Sequence, residues 1–378
     1  MNKMNRQSSM QLHIFNPEHD MALAANQRRF TAPHAGRRMR ADLGFIPALW
    51  AGDGDLVLVD DTEAAAEAVR HIRRYAHSVR FVTPAALRGA VAETGGALTV
   101  SPWGWDLALK HQLLRADSAL EPLLPSDAAL DAMRQMSSRR FAAERLLPVL
   151  HDSNPGVVGE SCYCESEDEA ASAMRRYGAS VLKSPWSCSG RGVRYVPSRQ
   201  PDGLVGGWMR NVMRRQGGIM VEPLYPKVYD FGIEFEAQPV TGDIVYRGLS
   251  LFATRGGAYT GSICATEADK REMLSRYVDL KLLDRICLQI QTVLKPLFAG
   301  RYSGPFGIDM MAIARDGGSG FWLHPCVELN LRRTMGHVAL ALTPTEMEPR
   351  RIMSVYFQDK YRIRVQNNND NLLNTGLV

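Results

Sequence analysis

Short apolar runs alternate with amphipathic stretches over the first hundred residues. Leu12 to Phe15, Leu56 to Val59, Val79 to Val82 and Leu98 to Val100 read as strands, with helices over Ala35 to Leu43 and Glu63 to Tyr75 between them. Strands separated by helical crossovers are the pattern of an open α/β domain with a parallel sheet. Pro122, Pro125 and Ser126 interrupt it just ahead of a helical segment, Asp127 to Leu147, which marks the passage into a second domain. Beyond residue 178 strands joined by Gly-rich turns dominate, with one further helix over Glu267 to Leu297. An α+β body is therefore expected after the α/β domain. The tail, residues 366–378, is polar and Asn-rich and reads as disordered.

Composition narrows the class. With 378 residues and 45% hydrophobic content the chain can build two or three cores. No stretch approaches the roughly 20 uninterrupted apolar residues that span a bilayer. The opening MNKMNRQSSM lacks the apolar centre of a secretion signal, so no membrane partner and a cytoplasmic setting are expected. Cysteines 162, 164, 188, 264, 287 and 326 form no CxxC pair and have no His at metal spacing, which predicts free thiols. Only eight of the 45 basic residues are lysine, and arginines pair at Arg37-Arg38 and Arg139-Arg140. Without a helix-turn-helix, zinc-finger or aromatic-basic signature this charge does not predict a nucleic-acid partner. A small acidic substrate is compatible with it.

Candidate chemistry begins at Val181-Leu182-Lys183, an apolar strand closed by a lysine, which runs into the Gly-rich loop Ser187-Cys188-Ser189-Gly190-Arg191-Gly192. Small residues let backbone N–H groups approach phosphate oxygens while the lysine supplies positive charge. The glycine order fits neither a P-loop nor a dinucleotide fingerprint. The other reading is a flexible β-hairpin with a surface lysine.

A second constellation lies at Gly304-Pro305-Phe306-Gly307-Ile308-Asp309-Met310-Met311, where the acid has only apolar or glycine neighbours. Burying that carboxylate is costly unless a cation or donors compensate it. After a turn, Arg315 to Gly320, comes Phe321 to Arg332, in which strand alternation puts Glu328, Asn330 and Arg332 on one face. If the two segments pair antiparallel, Asp309 joins that row. The result is an oxygen set suited to Mg2+, with Arg332 beside developing charge. The other reading is a hairpin whose polar face is simply solvated.

Taken in order, these motifs resemble the ATP-grasp superfamily, and the match spans roughly residues 130 to 340. The series is Lys183, the lid from Ser187 to Gly192, the apolar strand Ile219-Met220-Val221 with its hinge Glu222-Pro223-Leu224, Asp309, then Glu328-Leu329-Asn330. The resemblance implies a pre-ATP-grasp-like α/β domain over 1–125, followed by a two-lobed ATP-grasp module. Its small lobe would cover 126–225, with the lysine strand and lid, and its large lobe 226–365, with the metal site.

Carried over residue by residue, it implies that Lys183 and one of Arg139 or Arg140 contact ATP phosphates, together with Ser189, Gly190 and Gly192. Glu222, Pro223 and Leu224 would frame adenine, and Asp230 would meet the ribose. Asp309, Glu328 and Asn330 would hold Mg2+, with Mn2+ as a substitute, and Arg332 would act at the reaction centre. Pro305 and Phe306 stand where other members carry an additional arginine, so Arg255, in the turn Arg255-Gly256-Gly257-Ala258-Tyr259, joins Arg332 as a catalytic candidate.

The activity implied is ATP-dependent activation of a carboxylate as an acylphosphate for attack by an amine. A kinase or a catalytically silent ATP-binding sensor or scaffold are the alternatives, and a homodimer is left open. In the first domain, Asn16-Pro17-Glu18-His19-Asp20 ends the first strand, where open sheets bind ligands. Glu18, His19 or Asp20 would orient a substrate there, or the segment caps a turn. Trp103-Gly104-Trp105-Asp106 either lines a pocket or plugs an interface.

Overall fold

The computed structural model describes residues 10–95, 97–188, 191–256, 258–315, 317–318 and 320–367. The chain divides into two units. Among the described residues, those within 10–130 and 355–364 form the first, and those within 131–354 and 365–367 the second. Both expected fold classes are present, a parallel α/β sheet followed by antiparallel α+β sheets. Among the described residues no helix is long and apolar enough to cross a membrane.

The first unit is built on strands β1 (Met10–Ile14), β2 (Leu56–Leu58), β3 (Arg80–Val82) and β4 (Leu98–Pro102), parallel in the order β3-β2-β1-β4. Leu12, Ile14, Leu56 and Leu98 are buried in one core with Leu87 of the crossover helix before β4 and Leu109 and Leu113 of the helix after it. Both faces are covered, as a parallel sheet requires. The helix expected over Glu63 to Tyr75 is shorter, Thr62–Arg70. Asp61 caps its start through the N–H groups of Glu63 and Ala64, and His71 to Tyr75 continue as turns. Residues 355–364 return to this unit, where Tyr361 N–H donates to Asp42 Oδ2 at 2.8 Å.

In the second unit, β5 (Cys162–Cys164), β6 (Ser180–Lys183), β7 (Val193–Val196) and β8 (Ile219–Pro223) form a sheet of order β5-β8-β6-β7, antiparallel throughout. Strands β9 (Lys227–Ala237), β10 (Ile244–Arg255), β11 (Ala258–Cys264), β12 (Gly304–Ala314), β13 (Phe321–Asn330) and residues 351–354 of β14 (Arg351–Phe357) form a larger antiparallel sheet in the order β13-β12-β9-β10-β11-β14, and β15 (Tyr361–Asn367) is the last strand among the described residues. The helix Leu280–Phe298 buries Leu283, Ile286, Ile290, Leu294 and Phe298 along one stripe, in a core shared with Phe231, Phe235 and Phe306. That spacing of three and four residues is the signature of a core-facing helix.

Two long helices expected from the pattern are broken by caps. Asp127 to Leu147 becomes Asp127–Met136, Arg139–Arg145 and Leu147–Asp152, because the Ser138 side chain accepts from Arg140 N–H and starts a new helix. Glu267 to Leu297 divides at Asp279, which caps Leu280–Phe298 through Lys281 N–H. Within the stretch read as strands and turns there is also a helix, Gly203–Gln216, despite Gly203, Gly206 and Gly207. Each interior glycine costs about 1 kcal/mol of propensity. The Asp202 cap, buried Met209 and Val212, and left-handed Gly217 (φ 86°) at the end offset that cost. At the other end of the chain, β15 carries strand through residue 367, so 366 and 367 are not disordered as expected. The rest of the expected tail lies outside the described residues.

Candidate active site

The site of the second unit grows from one hairpin. Strands β12 and β13 are antiparallel, and Asp309 sits directly opposite Glu328, with Asn330 opposite Gly307. Asn330 Nδ2 donates to Asp309 Oδ2 at 3.1 Å, and Arg332 Nη2 donates to Asn330 Oδ1 at 3.0 Å. Acid, amide and guanidinium thus form one connected row. Between Asp309 and Met311 the register shifts, and three residues of β13, Pro325 to Val327, face the single Met310. Pro325 has no N–H to lose there, as suits a bulge.

A third acid, which no motif in the sequence announces, joins the row. Glu234 of β9 lies opposite Gly307 and is 3% exposed. A Cβ on Gly307 would stand 2.6 Å from its Oε2, and one on Gly336 only 1.9 Å from its Oε1, so both glycines are needed to admit it. His337 Nδ1 is 2.9 Å from Glu234 Oε2 and also 3.2 Å from Thr334 N, so which it serves depends on the ring's protonation. Asp309 shows what the crowding does. Burial first, then the Glu328 and Glu234 charges, push its carboxyl up to about 8, against the pull of Arg332 and the Asn330 amide. Like-charged acids in a poorly solvated site have this effect when no cation is bound.

Arg139 fastens this row to the lysine strand. Its Nη2 donates to Glu328 Oε1 at 2.6 Å, and its Nη1 donates to the Ser184 carbonyl at 2.6 Å and to Ser187 Oγ at 2.8 Å. It is 7% exposed. Arg140 points elsewhere, to Glu144 and Glu165 at 2.7 and 3.2 Å, with its guanidinium over the Tyr163 ring. Of the two arginines, Arg139 is therefore the one brought to the site.

Lys183 is buried rather than a surface lysine, and its Nζ meets Glu222 Oε2 at 2.5 Å across β6 and β8. Ser161 Oγ donates to the other oxygen of Glu222 at 3.1 Å. The loop after Lys183 is a hairpin turn between β6 and β7. A Cβ on Gly192 would fall 2.1 Å from Ser187 Oγ, so the glycine lets that serine tuck beneath it. Ser189 and Gly190, also expected in the lid, lie outside the described residues, as does Gly257 beside Arg255. Pro223 ends β8 and Leu224 N–H donates to the Ala179 carbonyl. Asp230 faces the same side of the sheet as Asp309 and is held by Lys227 at 2.5 Å. Arg255 is exposed at the end of β10, and among the described residues it makes no hydrogen bond or ion pair with the row.

His324, also unremarked in the sequence, shares the face of Glu328. It is 1% exposed and neither ring nitrogen has a hydrogen-bond partner among the described residues. Burial, then Lys183 and His151, pull its value down to about 3, so the ring is neutral. Burial also raises Cys326 well above the usual thiol range, and Cys164, Cys264 and Cys287 up to about 12. The cysteines of the described residues are free thiols, and these four are not nucleophiles at neutral pH.

In the first unit the two ambiguous segments prove to be one network. His19 Nδ1 lies 3.0 Å from Asp106 Oδ2, and Asn16 Nδ2 donates to the Gly104 carbonyl at 2.9 Å. A Cβ on Gly104 would stand 2.5 Å from the His19 ring. Trp103 packs edge-on to Phe15 within the unit at 5.0 Å. His19 is thus a buried structural residue, and Asp20 lies in the first turn of the helix His19–Ala25. Of the three expected substrate contacts, Glu18 lines a cavity.

No protein-family model matches the chain. No curated protein matches it either. Among solved structures the chain is similar to N5-carboxyaminoimidazole synthetase from Staphylococcus aureus, complexed with ADP. The identity is 11% over 94% of this chain and 84% of that one, with a TM-score of 0.47. It is also similar to a biotin carboxylase–ATP complex from Campylobacter jejuni, at 14% over 91% and 75%, TM-score 0.48. A protein from Archaeoglobus fulgidus assigned to the ATP-grasp superfamily aligns at 12% over 96% and 100%, TM-score 0.46.

Proposed function

We propose that the second unit is an ATP-grasp module and that the protein is an ATP-dependent ligase joining a carboxylate to an amine. The observation that carries this reading is the bridge made by Arg139, which joins the Ser184–Ser187 turn behind Lys183 to the row Asp309, Glu328, Asn330 and Arg332. That bridge supports the reading because it joins cations that would meet phosphates to oxygens that would hold a metal.

In this reading Lys183 turns from Glu222 to the phosphates as nucleotide arrives, and the hinge Glu222 to Leu224 receives adenine. Asp230 is the candidate for the ribose. The donor set Asp309, Glu328 and Asn330 suits a hard divalent cation, Mg2+ or Mn2+, which would offset the crowding of acids and neutralise phosphate charge. Among the described residues no three His, Cys, Asp or Glu side chains form a ready-made cage, so phosphate oxygens and water would complete the shell. A carboxylate oxygen of the substrate attacks the γ-phosphorus, and ADP leaves with the electron pair of the broken bond. The amine then attacks the acyl carbon, loses a proton, and expels phosphate. Arg332 stabilises the charge that develops on the transferring group. Arg255 takes part only if its turn moves toward the row. The setting that goes with this chemistry is cytoplasmic, with small-molecule partners.

The test is ADP release from Mg-ATP with pooled carboxylates and amines, followed by mass spectrometry for a product equal to two substrates less water. Glu328→Gln should keep the fold and lose turnover. Phosphorylated substrate without condensation would turn the reading to a kinase. No stabilisation by Mg-ATP at all would remove it.

A further inference from the structure

The first unit contains a cavity of about 620 Å³ that the nucleotide reading leaves unused. Asn16 and Asp60 lie two residues beyond the carboxyl ends of β1 and β2, and Pro84 two beyond β3, and all three line it. In the order β3-β2-β1-β4 the sheet departs from β1 in both directions, and Asp106, after β4, lines the same space. That is the crevice in which open parallel sheets take ligands.

The walls state what kind of ligand. Five arginines line the cavity against three carboxylates. Arg40 is committed, its Nη1 donating to Glu18 Oε1 at 2.8 Å and to Gln112 Oε1 at 2.9 Å, and Arg28 is paired with Asp127 at 2.5 Å. The side chains of Arg29, Arg37 and Arg115 make no hydrogen bond or ion pair among the described residues. Three guanidinium groups with no acid partner on the wall of one concavity leave positive charge there for an anion to offset. Glu18 supplies the second observation. It is 7% exposed, and its Oε2 has no hydrogen-bond partner although its Oε1 is held by Arg40. A fixed, buried acceptor at the wall calls for a donor on whatever fills the space.

We propose that this cavity binds a small metabolite carrying at least two negative charges, gripped by Arg29, Arg37 and Arg115, with an amino or hydroxyl group donating to Glu18 Oε2. Phosphate and carboxylate share the recognition chemistry, since guanidinium forks pair with either. The site holds whether or not the second unit binds nucleotide.

The test is isothermal titration of the full chain without divalent cation, at constant ionic strength, with pyrophosphate and citrate as probes and acetate as the singly charged control. At least one probe should bind one saturable site. Affinity should fall about tenfold in Arg37→Ala and in Arg115→Ala, the loss of one charge-assisted contact each. Both residues are exposed, so melting temperatures should not move. Pyrophosphate alone would mark a phosphoryl ligand, citrate alone a carboxylate. Three results would each overturn the proposal: no saturation by about 10 mM, acetate binding as well as the probes, or binding lost in Lys183→Ala and intact in the two arginine variants. The last would place the anion in the nucleotide site. Absence of ATP turnover would leave the proposal standing.

Discussion

Arg139 and Glu328, 189 positions apart in the chain, meet at 2.6 Å. The arginine comes from a helix that Ser138 starts, the glutamate from near the open end of an antiparallel hairpin. Arg139→Ala would strip a charged partner from Glu328 and donors from Ser184 and Ser187. A loss of about 1.5–3 kcal/mol is expected, the usual weight of hydrogen bonds to a charged group. Arg140→Ala, next door but solvated, should cost no more than about 1 kcal/mol. Urea unfolding of the two variants side by side measures the contrast. Equal losses would mean that the Arg139 bridge does not hold in solution.

Gly336→Ala should be far more harmful than a surface methyl. The new Cβ would stand 1.9 Å from Glu234 Oε1 and 2.6 Å from Ser250 Oγ. Overpacking of this kind costs about 1–3 kcal/mol. If Glu234 is the obstacle, the double variant Gly336→Ala, Glu234→Ala should regain part of the loss. Thermal unfolding of both shows whether it does.

Asp309→Asn tests the acid row without cation. The folded value of about 8 lies above that of an unfolded aspartate, about 3.9. The native protein therefore holds the extra proton, and this contribution is full below about pH 4 and lost as pH rises through about 8. In a chelating buffer, wild type should lose stability relative to Asp309→Asn across that window. In Mg-ATP the ranking should reverse, with the variant losing the stabilisation that ligand gives. Parallel stability curves in the chelator would show that the carboxyl is ionised at neutral pH.

His324 carries the opposite sign. Its folded value of about 3 lies below that of a free histidine, about 6.5. The unfolded chain takes up the proton first, so stability present above about pH 6.5 drains away as pH falls toward 3. The slope is at most about 1.4 kcal/mol per pH unit. His324→Leu, which gives up no hydrogen bond, should flatten the acid limb between pH 6.5 and 4. An unchanged limb would place a water or a charge partner on the ring.

What was legible in the sequence was local. Asp309 stood out because its neighbours are apolar, and alternation aligned Glu328 with Asn330 without any knowledge of pairing. Glu234 meets the same test between Ile233 and Phe235, but Glu236 and Asp230 make β9 look like a half-solvated strand, and the acid was missed. The signal that would have found it is the pair Gly307 and Gly336, glycines whose missing side chains make room for a distant carboxylate. Helix breaks at Ser138 and Asp279 were readable as caps in principle, since both are N-cap residues inside apparently continuous helices. The His19–Asp106 contact was not, because nothing in either segment records a partner 87 positions away.

The bulge at Pro325 sets a rule for how this hairpin can change. Because side chains alternate, inserting or deleting one residue between His324 and Glu328 would turn everything beyond it upside down, sending Glu328 and Asn330 into the core and Leu329 toward the ligand. Two residues added or removed together would preserve the facing and merely slide the acids along Asp309. Unless a further bulge absorbs the odd residue, length changes there must come in pairs to keep Glu328 and Asn330 on the face of Asp309.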